Sequence, residues 1–248
     1  MEKLYSELAE IYHIMYQSFI NYDEEFFYYD KILKNHSASC ILEIGCGSGN
    51  MAKRLLNAGY EYCGIDISEQ MLAIAREQLP QTDLICADMR NFSSVKKFDA
   101  ALIAGRSLSY ILSAEDLMRT FYCVHGALHT GGYFIFDIID AGKFMPSVNS
   151  SKTILHSMKH NDTEYMRESV FEVNEKNKAS CWNWHATYFM QHPGEERKEI
   201  AKDFTTLRSF YKTEIENALS ECGFAIAEIN ERPSYAFDTL VFTAVRLR

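Results

Sequence analysis

Apolar residues form five short continuous runs within the first 140 positions, and segments of helical periodicity lie between them. The runs cover residues 40–44, 62–67, 83–87, 98–104 and 133–139. Continuous apolar runs, in contrast to alternating ones, are typical of strands that are covered on both faces. The pattern therefore predicts an α/β fold with a doubly wound, mostly parallel sheet, in which right-handed crossovers join the strands.

Residues 150–210 follow a different pattern, in which apolar and polar side chains alternate one by one. The alternation covers residues 164–173 and 179–190, and residues 200–207 are a further candidate strand. A period of two predicts antiparallel strands, so we expect an antiparallel β insertion after the fifth strand. One face of residues 179–190 carries an aromatic stripe, which either walls a ligand pocket or packs on the main sheet: Trp182, Trp184, Ala186 and Tyr188.

The two ends of the chain are expected to add helices and a final pair of strands. Helical spacing of apolar residues predicts an amphipathic helix over residues 4–19 and a second helix over residues 24–34. Thr213 and Glu216 have the spacing of a capping box, which predicts that a helix begins at Thr213. Two last strands are predicted at residues 224–229 and 237–247.

Charge and cysteine usage narrow the range of partners. The 248 residues include 25 Lys and Arg against 34 Asp and Glu, a net charge of −9, and the basic residues are scattered. Because nucleic-acid binders usually present a basic face, we expect neither a nucleic acid nor an anionic membrane as a partner.

The seven cysteines form no CxxC pair, which favours free thiols in a reducing compartment over disulfides or a metal site. The N-terminus lacks the pattern of a signal peptide, and no apolar run approaches the ~18 residues of a membrane span, so a cytoplasmic protein is expected.

A glycine-rich segment, Gly45-x-Gly47-x-Gly49, follows the first predicted strand and precedes a predicted helix. Taken alone it fits a tight turn as well as a site where a ligand approaches the backbone and the helix N-terminus. A dinucleotide fingerprint would place glycine at position 50, where Asn50 stands, which speaks against a nicotinamide oxidoreductase. The segment is not a P-loop either, because no Gly-Lys-Ser/Thr follows it.

Carboxylates follow the next two predicted strands. Asp66 ends the second strand, where it can accept hydrogen bonds from two ribose hydroxyls or simply cap the helix near Ser68. Asp88 and Met89 end the third strand. The carboxylate can accept from an exocyclic amine and the thioether can lie against an adenine face, although singly they also fit a loop acid and a core methionine.

Five segments, in this order and spacing, resemble the motifs of the class I S-adenosylmethionine-dependent methyltransferases: Leu42-Glu43-Ile44-Gly45-Cys46-Gly47-Ser48-Gly49, Gly64-Ile65-Asp66-Ile67-Ser68, Ala87-Asp88-Met89, Phe98-Asp99-Ala100 and Leu128-His129-Thr130-Gly131-Gly132. The resemblance covers about residues 40–140, with Thr130 where the family usually has proline. It implies a Rossmann-like fold of the seven-stranded methyltransferase type, with S-adenosylmethionine as cofactor and S-adenosylhomocysteine as product. It further implies that Glu43 orders the glycine loop, that Gly45 and Gly47 admit the methionine part, that Asp66 holds the ribose, and that Asp88 and Met89 hold the adenine. The full set of expected cofactor-binding residues is Tyr12, Glu43, Gly45, Cys46, Gly47, Asp66, Ile67, Met71, Asp88, Met89 and Ala104.

Further segments narrow the resemblance: Leu8-Ala9-Glu10-Ile11-Tyr12, Ala87-Asp88-Met89-Arg90-Asn91-Phe92, the insertion after residue 140, and Phe210-Tyr211-Lys212-Thr213-Glu214-Ile215-Glu216. They are similar to small-molecule N-methyltransferases, most of all to those that act on nucleotide-linked amino sugars. Residues 104–110 lack the Asp/Asn-Pro-Pro-Tyr/Phe stretch of methylases that act on adenine or amide nitrogens. We therefore expect a small-molecule acceptor that is methylated on an amine nitrogen, with an oxygen acceptor or a non-catalytic cofactor-binding protein as alternatives. The protein is expected to be a monomer or a homodimer.

Four residues are candidates for contact with the acceptor, and each also fits an ordinary structural role. Asp137 interrupts an apolar strand, and an acid there is costly to bury without a partner. Tyr12 shares the apolar stripe of the first helix and fits core packing equally well. Arg106 either pairs with an anionic group of the acceptor or is solvated, and His185 also fits an ordinary strand histidine.

These expectations divide the chain into four segments. Residues 1–38 are a helical lid segment and residues 39–140 the cofactor-binding core. Residues 141–210 are the β insertion, expected to form a lid on the acceptor side, and residues 211–248 return to the core with a helix and two strands.

Overall fold

The computed structural model describes residues 9–148, 153–174, 180–233 and 237–248, without the side chains of Glu10 and Tyr12. Residues 4–8 of the predicted first helix and the side chain of Tyr12 therefore lie outside the described part. Within that part, no helix has both the length and the apolar character needed to cross a membrane.

Seven strands form the central sheet: β1 Cys40–Ile44, β2 Glu61–Asp66, β3 Asp83–Cys86, β4 Phe98–Ile103, β5 Leu128–Ile139, β10 Phe224–Arg232 and β11 Thr239–Arg246. They lie in the order β10-β11-β5-β4-β1-β2-β3. The first five strands are parallel, and β11 runs antiparallel to both β5 and β10. This arrangement confirms the predicted Rossmann-like sheet of the methyltransferase type.

Helices cover both faces of this sheet because the strands carry apolar side chains on both sides. The side chains of Phe121 and Ile215 belong to the buried cluster on one face, and those of Leu33, Leu55 and Leu72 to the cluster on the other. The helices are α1 Ala9–Phe19, α2 Tyr22–Asn35, α3 Asn50–Asn57, α4 Glu69–Gln78, α5 Ala114–Ala127, α6 Ala141–Val148 and α7 Lys212–Glu221.

The predicted β insertion is a separate antiparallel sheet of four strands: β6 Ile154–His160, β7 Thr163–Val173, β8 Cys181–Gln191 and β9 Lys198–Arg208. They lie in the order β6-β7-β8-β9. The aromatic stripe of this sheet is buried against Met15 and Tyr16 of α1, together with Ile139 at the end of β5. Neither α6 nor β6 was predicted from the sequence.

Helix capping decides where the crossover helices begin. The hydroxyl of Ser68 accepts a hydrogen bond from the amide of Met71, and the hydroxyl of Ser113 caps α5 in the same way, accepting from the amide of Asp116. The predicted capping box at Thr213 is wrong, because α7 begins one residue earlier, at Lys212, without a side-chain cap. A backbone bridge between Asp140 and Phe210 fixes the chain just before the helix, so tertiary contact rather than local capping sets its start.

Candidate functional site

A cavity of about 860 Å³ opens at the carboxyl ends of the parallel strands. Open α/β sheets bind their ligands at this edge. Ten of the eleven residues expected to bind the cofactor line this single cavity, and the eleventh is Tyr12, whose side chain lies outside the described part. The ten are Glu43, Gly45, Cys46, Gly47, Asp66, Ile67, Met71, Asp88, Met89 and Ala104.

The glycine loop after β1 is built from left-handed backbone. Gly45, Gly47 and Gly49 have φ values of +78°, +53° and +81°. A Cβ atom added at Gly45 would lie 2.8 Å from the hydroxyl oxygen of Ser107, so both the conformation and the space require glycine there. The amides of Gly45 and Cys46 donate to the carbonyl of Ile65 at 2.8 and 3.1 Å, which fastens the loop to β2.

Asp66 connects the glycine loop to the start of α4. Its Oδ2 accepts a hydrogen bond from the amide of Gly47 and its Oδ1 one from the amide of Ser68, both at 2.8 Å. Burial raises the pKa of this carboxyl, and the backbone hydrogen bonds act in the opposite direction. Because a carboxylate has about four acceptor positions, each oxygen can accept a further hydrogen bond from the cavity.

Glu43 is buried beneath the loop, where the hydroxyl of Tyr62 donates to its Oε2 at 2.5 Å. Burial raises the pKa of Glu43 to about 8, against the lowering effect of this hydrogen bond. The carboxyl is therefore largely protonated near neutral pH. Since Tyr62 lies on β2, this contact supports the glycine loop from below by joining β1 to β2.

Asp88 is held in place by Arg90, a residue that the sequence analysis did not single out. The guanidinium donates from Nε to Oδ1 at 2.9 Å and from Nη2 to Oδ2 at 2.5 Å, and the amide of Arg90 donates to Oδ1 at 2.9 Å. Hydrogen bonding by Arg90 lowers the pKa of Asp88, so the group is a charged acceptor at neutral pH. Ile67 and Met89 add apolar walls to this part of the cavity.

The other half of the cavity is formed by elements from outside the glycine-loop region. The 3-10 helix Ser107–Tyr110 follows β4, and Ile20, Tyr22 and Glu25 come from the α1–α2 region. From the inserted sheet, β9 contributes Lys202, Asp203 and Phe204. Sequence reasoning missed these three residues, although an acid in a predicted strand is the same signal that pointed to Asp137.

Asp137 lies behind the cavity wall rather than in it, which corrects the expectation that it touches the acceptor. It is 3% exposed, does not line the cavity, and accepts a hydrogen bond at 2.8 Å from the amide of Arg106. Burial raises its pKa to about 6, and Arg106 opposes that shift. Arg106 itself lines the cavity and has a left-handed backbone, with φ of +65°, so Asp137 fixes an unusual main-chain position next to the site.

His185 lies outside the cavity, which corrects the expectation that it reaches the acceptor. Its Nε2 lies 3.0 Å from Oε2 of Glu172, and its ring packs edge-on against Phe204 with centroids 4.9 Å apart. The reason is strand alternation: the aromatic stripe of β8 is buried, so His185 occupies the opposite face. The aromatic stripe does not line the cavity either. Of the two alternatives for it, the structure supports packing, and the stripe packs against α1.

Helix α1 links the two halves of the site. Nδ1 of His13 lies 2.9 Å from the hydroxyl of Ser48 in the glycine loop. Three residues further along, the hydroxyl of Tyr16 accepts a hydrogen bond at 2.8 Å from Nη1 of Arg167 in β7. The helix therefore contacts both the glycine loop and the inserted sheet.

Comparison with known proteins relates most of the chain to methyltransferases. A family described as "Methyltransferase domain" matches residues 41–132. The putative methyltransferase YqeM of Bacillus subtilis is 28% identical over 248 aligned residues, which cover 93% of this chain and 97% of that protein. The uncharacterized methyltransferase Bcer98_3087 of Bacillus cytotoxicus is 31% identical over 186 residues, 69% of this chain and 87% of that protein.

A relative with a named substrate and two solved structures extend the comparison. The dTDP-3-amino-3,4,6-trideoxy-alpha-D-glucopyranose N,N-dimethyltransferase of Streptomyces venezuelae is 24% identical over 197 residues, 79% of this chain and 80% of that protein. DesVI from Streptomyces venezuelae superposes with a TM-score of 0.84 at 20% identity, over 96% of this chain and 98% of DesVI. CalS10, an amino pentose methyltransferase from Micromonospora echinaspora with S-adenosylmethionine bound, gives a TM-score of 0.82 at 17% identity, over 95% of this chain and 96% of CalS10. The structural likenesses confirm the fold class.

Proposed function

Because the chain belongs to the class I S-adenosylmethionine-dependent methyltransferases, we propose that it transfers the methyl group to the amine nitrogen of a small molecule. The observation that carries the proposal is the two-sided cavity. The glycine loop and the carboxylates of the strand ends line one side, and the inserted sheet with the α1–α2 region lines the other. Two reactants can therefore meet within one cavity.

The whole cavity, of about 860 Å³, lies within the range of about 300–1,000 Å³ that ligand sites occupy. The residues on its first side suit the chemistry of the cofactor. In our proposal Asp66 accepts from the ribose hydroxyls through its remaining lone pairs, and Asp88, oriented by Arg90, accepts from the adenine amine. The glycine backbone at Gly45 and Gly47 leaves room for the methionine part, and Ile67, Met71, Met89 and Ala104 supply apolar contacts.

S-adenosylmethionine supplies the electrophilic methyl group, so the protein has to orient the acceptor, keep water away and take up one proton. A neutral amine is a sufficient nucleophile once it has lost its proton, whereas an alcohol needs a strong base. Two observations about relatives favour nitrogen: one acts on an amino sugar and another on an amino pentose. In the proposed site Arg106 contacts the acceptor, and Asp137 holds the Arg106 backbone in position.

The cofactor assignment is tested by isothermal titration of the purified protein with S-adenosylmethionine and S-adenosylhomocysteine, with NADH as the control. We expect saturable binding of the first two and none of NADH. Absence of binding to both sulfur compounds would refute the proposal.

The acceptor class is tested by mass spectrometry with matched pairs of compounds, such as nucleotide-linked amino sugars and the same sugars with a hydroxyl in place of the amine. A mass gain of one methyl on the amine member of a pair supports nitrogen transfer. Methylation of only the hydroxyl member would refute transfer to nitrogen and indicate transfer to oxygen. Cofactor binding without transfer to any pair would favour a non-catalytic binding protein.

A further inference from the structure

Asp203 is the carboxylate that the inserted sheet places in the cavity. It is 8% exposed and lies on β9, opposite Ala186 of β8, on the face that carries the buried aromatic stripe. Strand β9 runs beside the 3-10 helix Ser107–Tyr110, which follows the carboxyl end of β4. Asp203 therefore lies on the lid side of the cavity, across from the cofactor side.

Four other carboxylates line the described cavity: Glu25, Glu43, Asp66 and Asp88. All four come from α2 or from the strand ends of the main sheet. Asp203 differs from them in origin, because it comes from the segment that covers the acceptor side.

We propose that Asp203 binds the ammonium group of the acceptor and takes the proton that must leave before methylation. The inference rests on the proposed function, because it concerns an amine acceptor in the same cavity. An amine at neutral pH is mostly an ammonium ion, which has no lone pair with which to attack a methyl group. In the proposed step one N–H bond breaks, its electron pair stays on nitrogen, and the proton moves to a carboxylate oxygen of Asp203 and later to solvent.

One aromatic ring of the cavity suits a cationic guest. Tyr110, on the facing 3-10 helix, lines the cavity as Asp203 does. Phe204, the next residue of β9, lies opposite His185 and so belongs to the other face of the inserted sheet. Aromatic faces attract ammonium groups, so Asp203 with Tyr110 forms a subsite for an organic cation, which we call the ammonium subsite.

The ammonium subsite can be tested without knowledge of the acceptor. Sinefungin is an analogue of S-adenosylmethionine that carries an amine where the cofactor carries its methyl sulfonium group. Its ammonium therefore lies next to the position that the acceptor nitrogen would occupy. We expect the protein to bind sinefungin about tenfold or more tightly than S-adenosylhomocysteine, the effect of one charge-assisted contact.

The Asp203→Asn variant should lose this preference and keep the affinity for S-adenosylhomocysteine. Glu199→Gln is the matched control, because Glu199 lies on the same strand, bonds Lys202 at 3.2 Å and does not line the cavity. This control should keep the preference. Melting curves establish that each variant is folded, and Asp203→Ser replaces Asp203→Asn if the latter fails to fold.

Three outcomes would overturn the inference. An unchanged preference in the variant would show that Asp203 does not contact the cation. An equal loss of affinity for both compounds would assign Asp203 to the methionine part that they share, or to the fold. A wild-type protein without any preference would exclude the subsite, whereas failure to bind S-adenosylhomocysteine at all would refute the proposed function instead.

Discussion

Replacing Asp66 by alanine should weaken cofactor binding and also destabilise the fold, and a control variant separates the two effects. The carboxylate accepts amide hydrogen bonds from Gly47 and Ser68, both at 2.8 Å, and in our proposal also two from the ribose. A hydrogen bond to a charged group contributes about 1.5–3 kcal/mol net. If the two ribose bonds were lost, the additive upper limit would be about 3–6 kcal/mol, and even the lower value for one bond exceeds a tenfold change in Kd.

Loss of the two amide bonds should destabilise the protein as well, by about 1–3 kcal/mol. A second acid offers a matched control for this part. Oδ2 of Asp99 accepts from the amides of Ser39 and Cys40 at 3.0 Å each, at the amino-terminal end of β4 and away from the cavity. Asp99→Ala should therefore reduce stability without changing cofactor affinity.

The assay is calorimetric titration of both variants and the wild type with S-adenosylmethionine, at a temperature where melting curves show that all three are folded. We expect Kd to rise at least tenfold for Asp66→Ala and to stay within twofold for Asp99→Ala. An unchanged Kd in Asp66→Ala would refute the ribose assignment. An equal rise in both variants would show that general destabilisation, and not a lost contact, weakens binding.

Three further predictions follow from the same site. Burial raises the pKa of Glu43 to about 8 in the folded protein. Between about pH 5 and 8 the folded protein therefore keeps a proton on Glu43 that the unfolded chain has lost. The contribution of Glu43 to the free energy of unfolding then falls as pH rises. Glu43→Gln cannot titrate, so its Tm relative to wild type should increase from pH 5 to 8, and a constant difference would contradict the shift. Gly45→Ala should abolish cofactor binding because of the contact with Ser107, whereas Gly59→Ala, with φ of +90° and open space, should only destabilise by about 1–2 kcal/mol. Asp137→Asn should spare cofactor affinity and lower kcat with the identified acceptor, because Asp137 holds the backbone of Arg106. An unchanged kcat would refute this positioning role.

The parts of the fold that the sequence predicted are those that local physics determines. The core strands carry continuous apolar runs, and the left-handed glycines stand directly after β1, so both the sheet and its ligand edge follow from neighbouring residues. The capping hydroxyls of Ser68 and Ser113 are local signals of the same kind. All ten described cofactor candidates lie within or beside such segments, and all ten line the cavity.

The acceptor side depends on contacts between distant segments and was predicted poorly. Lys202, Asp203 and Phe204 reach the cavity because β9 lies beside the 3-10 helix after β4, and no local pattern encodes that meeting. His185 could have been excluded from the alternation alone, because the apolar stripe of β8 already assigned the opposite face to the interior. Asp137 was correctly noticed as an unusual buried acid, but only the structure reveals that its partner is a backbone amide.

The bridge between Asp140 and Phe210 joins the point where the chain leaves the main sheet to the point where it returns. The amide of Phe210 donates to the carbonyl of Ile139, and the amide of Ala141 donates to the carbonyl of Phe210, both at 3.0 Å. The chain thus leaves and rejoins the main sheet at one point. The residues between these two ends can therefore be replaced during evolution without a change in the cofactor-binding part of the fold. Because the aromatic stripe packs on Met15 and Tyr16, such an exchange must carry the first helix with it. We therefore expect α1 and the insertion to diversify as a pair among enzymes that share this architecture.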